Sequence, residues 1–179
     1  MQRRKRISIV IIGLAITASL PIAVGAEAFP RTTVQNLVGS DVVLPDQLEA
    51  RINILVVGFT QKAGSNTKPW TERLKKDFTR ADGFAVYPVA VLAGVPPIFR
   101  GFALGSIRGS VPTADRGGFL IVNDDESAWR SVAGYQLPDD PYIIVIDKTG
   151  TVIARAAGLL DEKTYEELST QIRSVAGGK

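Results

Sequence analysis

The sequence predicts an α/β fold: a mixed β-sheet sandwiched by helices, with an N-terminal β-hairpin and an insertion over residues 94–118. Three observations carry this. Ile52 to Thr60 and Tyr142 to Ile146 are almost continuously apolar and rich in β-branched residues, the composition of strands buried on both faces. Trp70, Leu74 and Phe78 recur at i, i+4 and i+8, an inward helical stripe. The order of elements is hairpin, β, α, β, insertion, β, α, β, β, α. A parallel pair joined by a helical crossover, then an antiparallel pair and a helix, gives a mixed sheet covered on both faces.

The elements follow in order. Leu37 to Asp41 reads as strand then turn, and Val42 to Leu44 as the return strand, stopped by Pro45. After the strand at Ile52, Gln61 to Lys68 reads as a polar loop and Pro69 as the opening of a helix, where its missing N–H costs nothing. Glu72, Lys75, Lys76 and Asp77 then face away, and Asp82-Gly83 ends the element. Phe84 to Leu92 is a strand in which Pro88 argues for an edge or a bulge. In the insertion a short helix from Pro97 to about Ile107 is expected. Phe119 to Val122 is a short strand, and Asp124 caps a helix with Ala128, Trp129 and Val132 inward and Gly134 as its stop. Asp147-Lys148-Thr149-Gly150 joins two antiparallel strands. Asp161 caps a last helix with an inward face of Tyr165, Leu168, Ile172 and Val175.

The first 26 residues are an address. Arg3 to Arg6 form a basic cluster, Ile7 to Leu20 an apolar run, and Val24-Gly25-Ala26 a small-residue cleavage site, the layout of a secretory signal peptide. The alternative is an uncleaved anchor, through which alone the chain would contact a membrane; the run is short for a span of about 20 residues. Residues 27–179 form one domain, and the chain is expected to be periplasmic or secreted. The four bases of the leader, taken from 21, leave 17 basic residues against 18 acidic ones. A nucleic-acid partner thus loses its electrostatic support.

Among its 179 residues the chain has no cysteine and no histidine. That excludes thiol nucleophiles, disulfides and imidazole bases. A zinc or copper site would have carboxylates alone, which those metals rarely accept. Asp124, Asp125 and Glu126 read as acids complementing a helix dipole, not as metal ligands. No cofactor or metal is implied.

The segment Asp139 to Arg155, with a proline, an apolar strand and Ile146-Asp147-x-x-Gly150 before the last strand, resembles the second half of the thioredoxin-like fold in its redoxin and peroxiredoxin branch. Val122 to Trp129 followed by Gly134-Tyr135, and the lead-in from Phe29-Pro30 to Leu48, are similar to that branch as well. The resemblance implies that Pro141 is cis. Redox members carry cysteine between the strand and the following helix, where the helix N-terminus favours thiolate. Here that stretch is Thr60 to Lys68, and it holds no cysteine. Thiol-disulfide exchange and peroxidase activity are therefore not carried over. YtfJ-like periplasmic proteins are similar in leader, length and order. Val57-Gly58-Phe59-Thr60 with Trp70, then Pro97 to Phe102, and Arg108 with Pro112 look like the pattern of mitochondrial ATP synthase assembly factors. What this implies is a non-enzymatic role helping a membrane complex assemble.

Two surfaces are candidates. One is the cleft the fold ordinarily uses: Thr60, Lys62, Gly64, Ser65, Thr67, Lys68 and Trp70 around a helix N-terminus, with Asp140 and Pro141 beside them. It could hold an anion, an extended peptide through the backbone before Pro141, or, with Asp140 near Ser65, a carboxylate-based enzyme site. The other is the insertion, where Arg100, Arg108 and Arg116 stand among Phe99 and Phe102, the composition of protein interfaces. The expected role is that of a secreted binding or assembly partner without redox activity.

Overall fold

The computed structural model describes residues 27–177, so the predicted leader lies outside the described residues. Its centre is a seven-stranded mixed sheet. The strands are β1 (Thr32–Asn36), β2 (Asp41–Leu44), β3 (Ile52–Gly58), β4 (Phe84–Val91), β5 (Leu120–Val122), β6 (Tyr142–Asp147) and β7 (Val152–Ala157), in the order β2-β1-β5-β4-β3-β6-β7. β3, β4 and β5 are parallel; β6 runs antiparallel to β3, and β7 to β6. All seven residues of β3 are buried, which requires cover on both faces of the sheet.

On one face, α1 (Gln61–Asp77) and α4 (Glu162–Gly177) cover Ile52, Ile54, Val56, Ile143 and Val145. The predicted stripe of Trp70, Leu74 and Phe78 is buried there. So are Tyr165, Leu168 and Ile172, whereas Val175 is exposed because Ala176, four residues after Ile172, takes the inward position in the last turn. Arg73 joins the two helices, donating to both carboxylate oxygens of Glu162 at 2.7 Å. On the same face but over β5 and β1 lies α2 (Pro97–Ser110), three residues longer than the sequence suggests, seated on Leu37, Leu92 and Ile121. The other face carries α3 (Glu126–Ala133), with Trp129 and Val132 packed on Leu55, Val57, Ile144 and Ile146.

Several expectations change. β1 starts and ends earlier than the sequence suggested, and Leu37 lies in the turn. The residue before α3 is Asp125, in the left-handed region at φ 54°, with no side-chain capping bond; Asp124 stands one place too early. Among the described residues the cis X-Pro bond is Leu44–Pro45, and Asp140–Pro141 is trans. Pro88 sits in an inner strand, yet β5 pairs with β4 only from Val89 onward, so the edge character it signalled is local. Asp161 caps α4 as expected, its Oδ1 accepting from the Thr164 N–H at 3.0 Å.

The largest change is at α1. The stretch read as a loop, Gln61 to Lys68, is helical, and Pro69 lies inside the helix. Thr60 caps it, its hydroxyl accepting from the Ala63 N–H at 3.0 Å. The Ala63 and Thr67 side chains are buried on the sheet side, so packing outweighs the weak helix propensity of Gly64-Ser65-Asn66. The Ser65 carbonyl that would have bonded the missing N–H of Pro69 lies on the exposed side, where water can satisfy it.

This junction requires Gly58. A Cβ placed there would stand 2.9 Å from the Gly64 nitrogen and 3.2 Å from the Ala63 carbonyl carbon, both backbone. Gly58→Ala is expected to lower unfolding stability by about 1–3 kcal/mol through overpacking, measured by urea denaturation. An unchanged midpoint would show that the β3–α1 junction yields without cost.

Candidate functional site

β3, β4 and β5 end on one side of the sheet, β6 begins there, and β7 ends there. The N-termini of α1, α2 and α3 and the loop 136–141 consequently share that side. Both candidate surfaces therefore open at one end of the molecule.

At the N-terminus of α1 the chain supplies its own anion. The Thr60 hydroxyl donates to Asp139 Oδ1 at 3.0 Å while accepting from Ala63, so both of its functions are used. Lys62 Nζ stands 3.2 Å from Asp139 Oδ2, and Asn66 Nδ2 donates to the Asp139 carbonyl at 2.9 Å. The Thr60 hydroxyl, and after it Lys62, hold the Asp139 carboxyl below the usual carboxylate range. A carboxylate at this position also complements the helix dipole.

The loop carrying Asp139 is fixed by Tyr142. Its ring is fully buried, between Phe59 and Tyr135 at centroid distances of 5.6 Å each. Its hydroxyl accepts from the Gln136 and Leu137 N–H groups, at 2.9 and 2.8 Å, and donates to the Leu137 carbonyl at 2.7 Å. The phenol of a β6 residue thereby sets the start of the loop, and the loop in turn sets Asp139.

The remaining predicted cleft residues are placed as follows. Ser65 is exposed and donates to the Gln61 carbonyl; it makes no bond to Asp140. Thr67 is buried and donates to the Gly64 carbonyl at 2.7 Å. Lys68 lies 3.9 Å from Glu72 on the exposed face, an i, i+4 pair of small energetic weight. Trp70 is buried beneath, its indole N–H donating to the Gly158 carbonyl at 3.0 Å. The backbone around buried Pro141 is largely engaged: Asn66 takes the Asp139 carbonyl, Leu137 the Asp140 N–H, and the Gly158 N–H donates to the Pro141 carbonyl. The acid at the helix N-terminus is thus Asp139, one residue before the Asp140 singled out from sequence, and Asn66 and Tyr142 complete the arrangement. Both acids were visible in Asp139-Asp140-Pro141; which of them reaches Thr60 depends on how Tyr142 fixes the loop.

In the insertion, α2 presents Ile98, Phe99 and Phe102 at 83%, 60% and 83% exposure. Leu137 and Leu159, also exposed, lie at the same end of the sheet. The arginines do not stand among the exposed aromatics as free charges. Arg100 donates to the carbonyls of Val95 and Ala93 at 2.8 and 2.9 Å, Arg108 to that of Leu37 at 3.1 Å, and Arg116 to those of Val111 and Arg108 at 3.1 and 2.7 Å. Arg100 and Arg116 brace the insertion and its entry, and Arg108 ties it to Leu37 in the turn after β1.

No family model and no curated protein matches the chain. Solved structures do. It is similar to a putative thiol:disulfide interchange protein DsbE from Chlorobium tepidum, at TM-score 0.59 and 20% identity over 84% of this chain and 96% of that one. It is also similar to the exposed lipoprotein thioredoxin Etrx1 from Streptococcus pneumoniae, at TM-score 0.57 and 14% identity over 80% and 99%. BsSco, a member of the Sco family of cytochrome c oxidase assembly proteins, matches at TM-score 0.56 and 13% identity over 85% and 95%. The chain has a thioredoxin-like fold. The fold is present here without cysteine, and the junction of β3 and α1 carries Thr60 and the carboxylate of Asp139.

The depressed Asp139 pKa gives a signed pH effect. A carboxyl whose folded pKa lies below its unfolded value of about 3.9 stabilises the fold above that value and loses the contribution as pH falls through the folded pKa. Asp139→Asn should therefore melt below the wild type at neutral pH, with the gap closing at acid pH. Thermal melts across the acid range check this; parallel curves for the two proteins would contradict it.

Proposed function

We propose that this chain is a non-redox thioredoxin-fold protein that works by binding, docking a protein partner or helping a membrane complex assemble at the outer face of a membrane. The observation that carries this is the outward face of α2. Ile98, Gly101, Phe102, Gly105 and Gly109 form one exposed stripe, with Phe99 beside it. Nothing lies within 4 Å of a Cβ built at any of the three glycines, so another backbone can approach them closely. The only charged side chains of α2, Arg100 and Arg108, are bonded to backbone carbonyls. The stripe itself carries no charged residue and has two large, almost fully exposed apolar side chains, the chemistry of an interaction surface.

Two further points support the reading. The absence of cysteine leaves the fold without the atoms of thiol exchange. The basic cluster and apolar run of residues 3–20 have the layout of an export signal, which supports a periplasmic or secreted location. Among the described residues no helix is long and apolar enough to cross a membrane. The assembly role has a parallel in BsSco, whose family is named for assembly of cytochrome c oxidase, although the likeness to it is one of fold.

Crosslinking in the cell envelope followed by affinity capture tests this. The double variant Phe99→Ser, Phe102→Ser should lose the captured partner, each substitution costing about 2 kcal/mol or more of binding if these are hot spots. Its melting temperature should hold or rise, since both side chains are exposed. Loss of the partner on changing Lys62 or Ser65 instead would move the working surface to the start of α1. Reduction of insulin disulfides by the purified chain would overturn the non-redox reading.

A further inference from the structure

β4 spans eight residues, but β5 pairs only with Val89, Ala90 and Val91 at its end. From Phe84 to Pro88 the strand pairs with β3 on one side and has no strand on the other. In a parallel strand the N–H and C=O of one residue point to the same neighbour, and successive residues alternate. The Leu92 N–H donates to the Val122 carbonyl at 2.7 Å, so Leu92 faces β5. Ala90, Pro88, Val86 and Phe84 share that direction. The Phe84 N–H is taken by the Thr79 carbonyl at 3.1 Å, and Pro88 has no N–H to leave unpaired. Val86 is left with its N–H and C=O directed at the open side, where no backbone group of the described residues pairs with them.

A cleft of about 500 Å³ opens on this edge. Phe84 and Val86 line it together with Lys75, Arg80, Asp115 and Gly118. Lys75 and Asp115 neutralise each other at 3.1 Å. Arg80 lies against the Tyr87 hydroxyl, a neutral partner, and makes no ion pair among the described residues, so the cleft has one positive charge left to complement.

We infer that this cleft is a strand-addition site for a short extended peptide segment carrying a carboxylate. The peptide lies along Phe84–Pro88, exchanges backbone hydrogen bonds with Val86, and sets its carboxylate against Arg80. The free backbone pair suits an extended chain, which offers an N–H and a C=O at matching spacing. Pro88 limits the pairing to a few residues. The carboxylate comes from an acidic side chain or from a chain terminus. This site is separate from the α2 face and does not depend on the role proposed for it.

A pool of short acetylated peptides of alternating β-branched and acidic residues, each made with a free and with an amidated C-terminus, tests the inference on the whole chain. Fluorescence anisotropy reads affinity, and the amide signal of Val86 reads location. Binding members should shift that signal and slow its exchange with solvent. Methylating the peptide nitrogen opposite Val86 should weaken binding by about tenfold or more, while methylating its neighbour should not. Arg80→Ala should cause a similar loss; sensitivity to amidation identifies a terminal carboxylate and insensitivity an acidic side chain. Val86→Pro removes the free N–H from the side facing away from β3, and the methylated peptides give the same information if that variant does not fold. No binding from the pool, or binding that ignores both nitrogen methylation and Arg80→Ala, would overturn the inference.

Discussion

β3 has no exposed face, and most of the architecture follows from that. Seven consecutive buried residues cannot stand at an edge or against solvent, so β4 and β6 flank the strand and helices cover both faces. A parallel β3–β4 pair needs a crossover helix, and α1 is that helix. Only Phe59 and Thr60 separate it from β3, so its N-terminus stands at the end of the sheet where β6 enters. Gly58 makes the turn tight enough by letting the Gly64 nitrogen come within 2.9 Å of where a Cβ would otherwise be. The site is therefore a consequence of the core.

At that junction the two halves of the chain meet through polar groups that satisfy one another. The orphan donors at a helix start attract an anion, and in a thiol-based protein that property favours thiolate. Here Thr60, Lys62 and Asn66 converge on one residue, Asp139, and the buried hydroxyl of Tyr142 holds the loop that delivers it. The carboxylate stands in for an external anion. Because the backbone around Pro141 is bonded to Asn66, Leu137 and Gly158, little of it remains to pair with a peptide in this cleft. These bonds weigh against the α1 N-terminus as a binding surface and direct attention to the apolar side chains around it.

What was legible in the sequence was what local pattern and burial decide together. The buried strands, the Trp70 stripe, the Asp147–Gly150 hairpin and the Asp161 cap are signals read within a few residues, and the structure places them as expected. The start of α1 was hidden because Gly64-Ser65-Asn66-Thr67 has the composition of a loop, and only the burial of Ala63 and Thr67 against the sheet makes it helical. Pro69 compounded this, since an exposed proline after two helical turns looks the same in sequence as one that opens a helix. The choice between Asp139 and Asp140 could not be read at all. Both acids are present, and a hydroxyl on β6 decides between them from outside the loop.

The insertion shows the same limit with a different outcome. Three arginines near exposed aromatics suggest a charged interface, yet each guanidinium meets carbonyls of the insertion, of Ala93 just before it, or of Leu37. A segment with this many glycines has many carbonyls and few side chains to hold it, and long planar donors are suited to that task. With their guanidinium groups bonded to carbonyls, Arg100 and the exposed Arg108 flank an outer stripe of α2 that itself carries no charged residue. Burying that face against a partner would therefore demand little desolvation of ionic groups, and the exposed Ile98 and Phe102 could be removed from water at full hydrophobic gain. The bracing role of the arginines and the apolar character of the face are thus one feature: the same bonds that hold the insertion in shape determine what kind of partner it can accept.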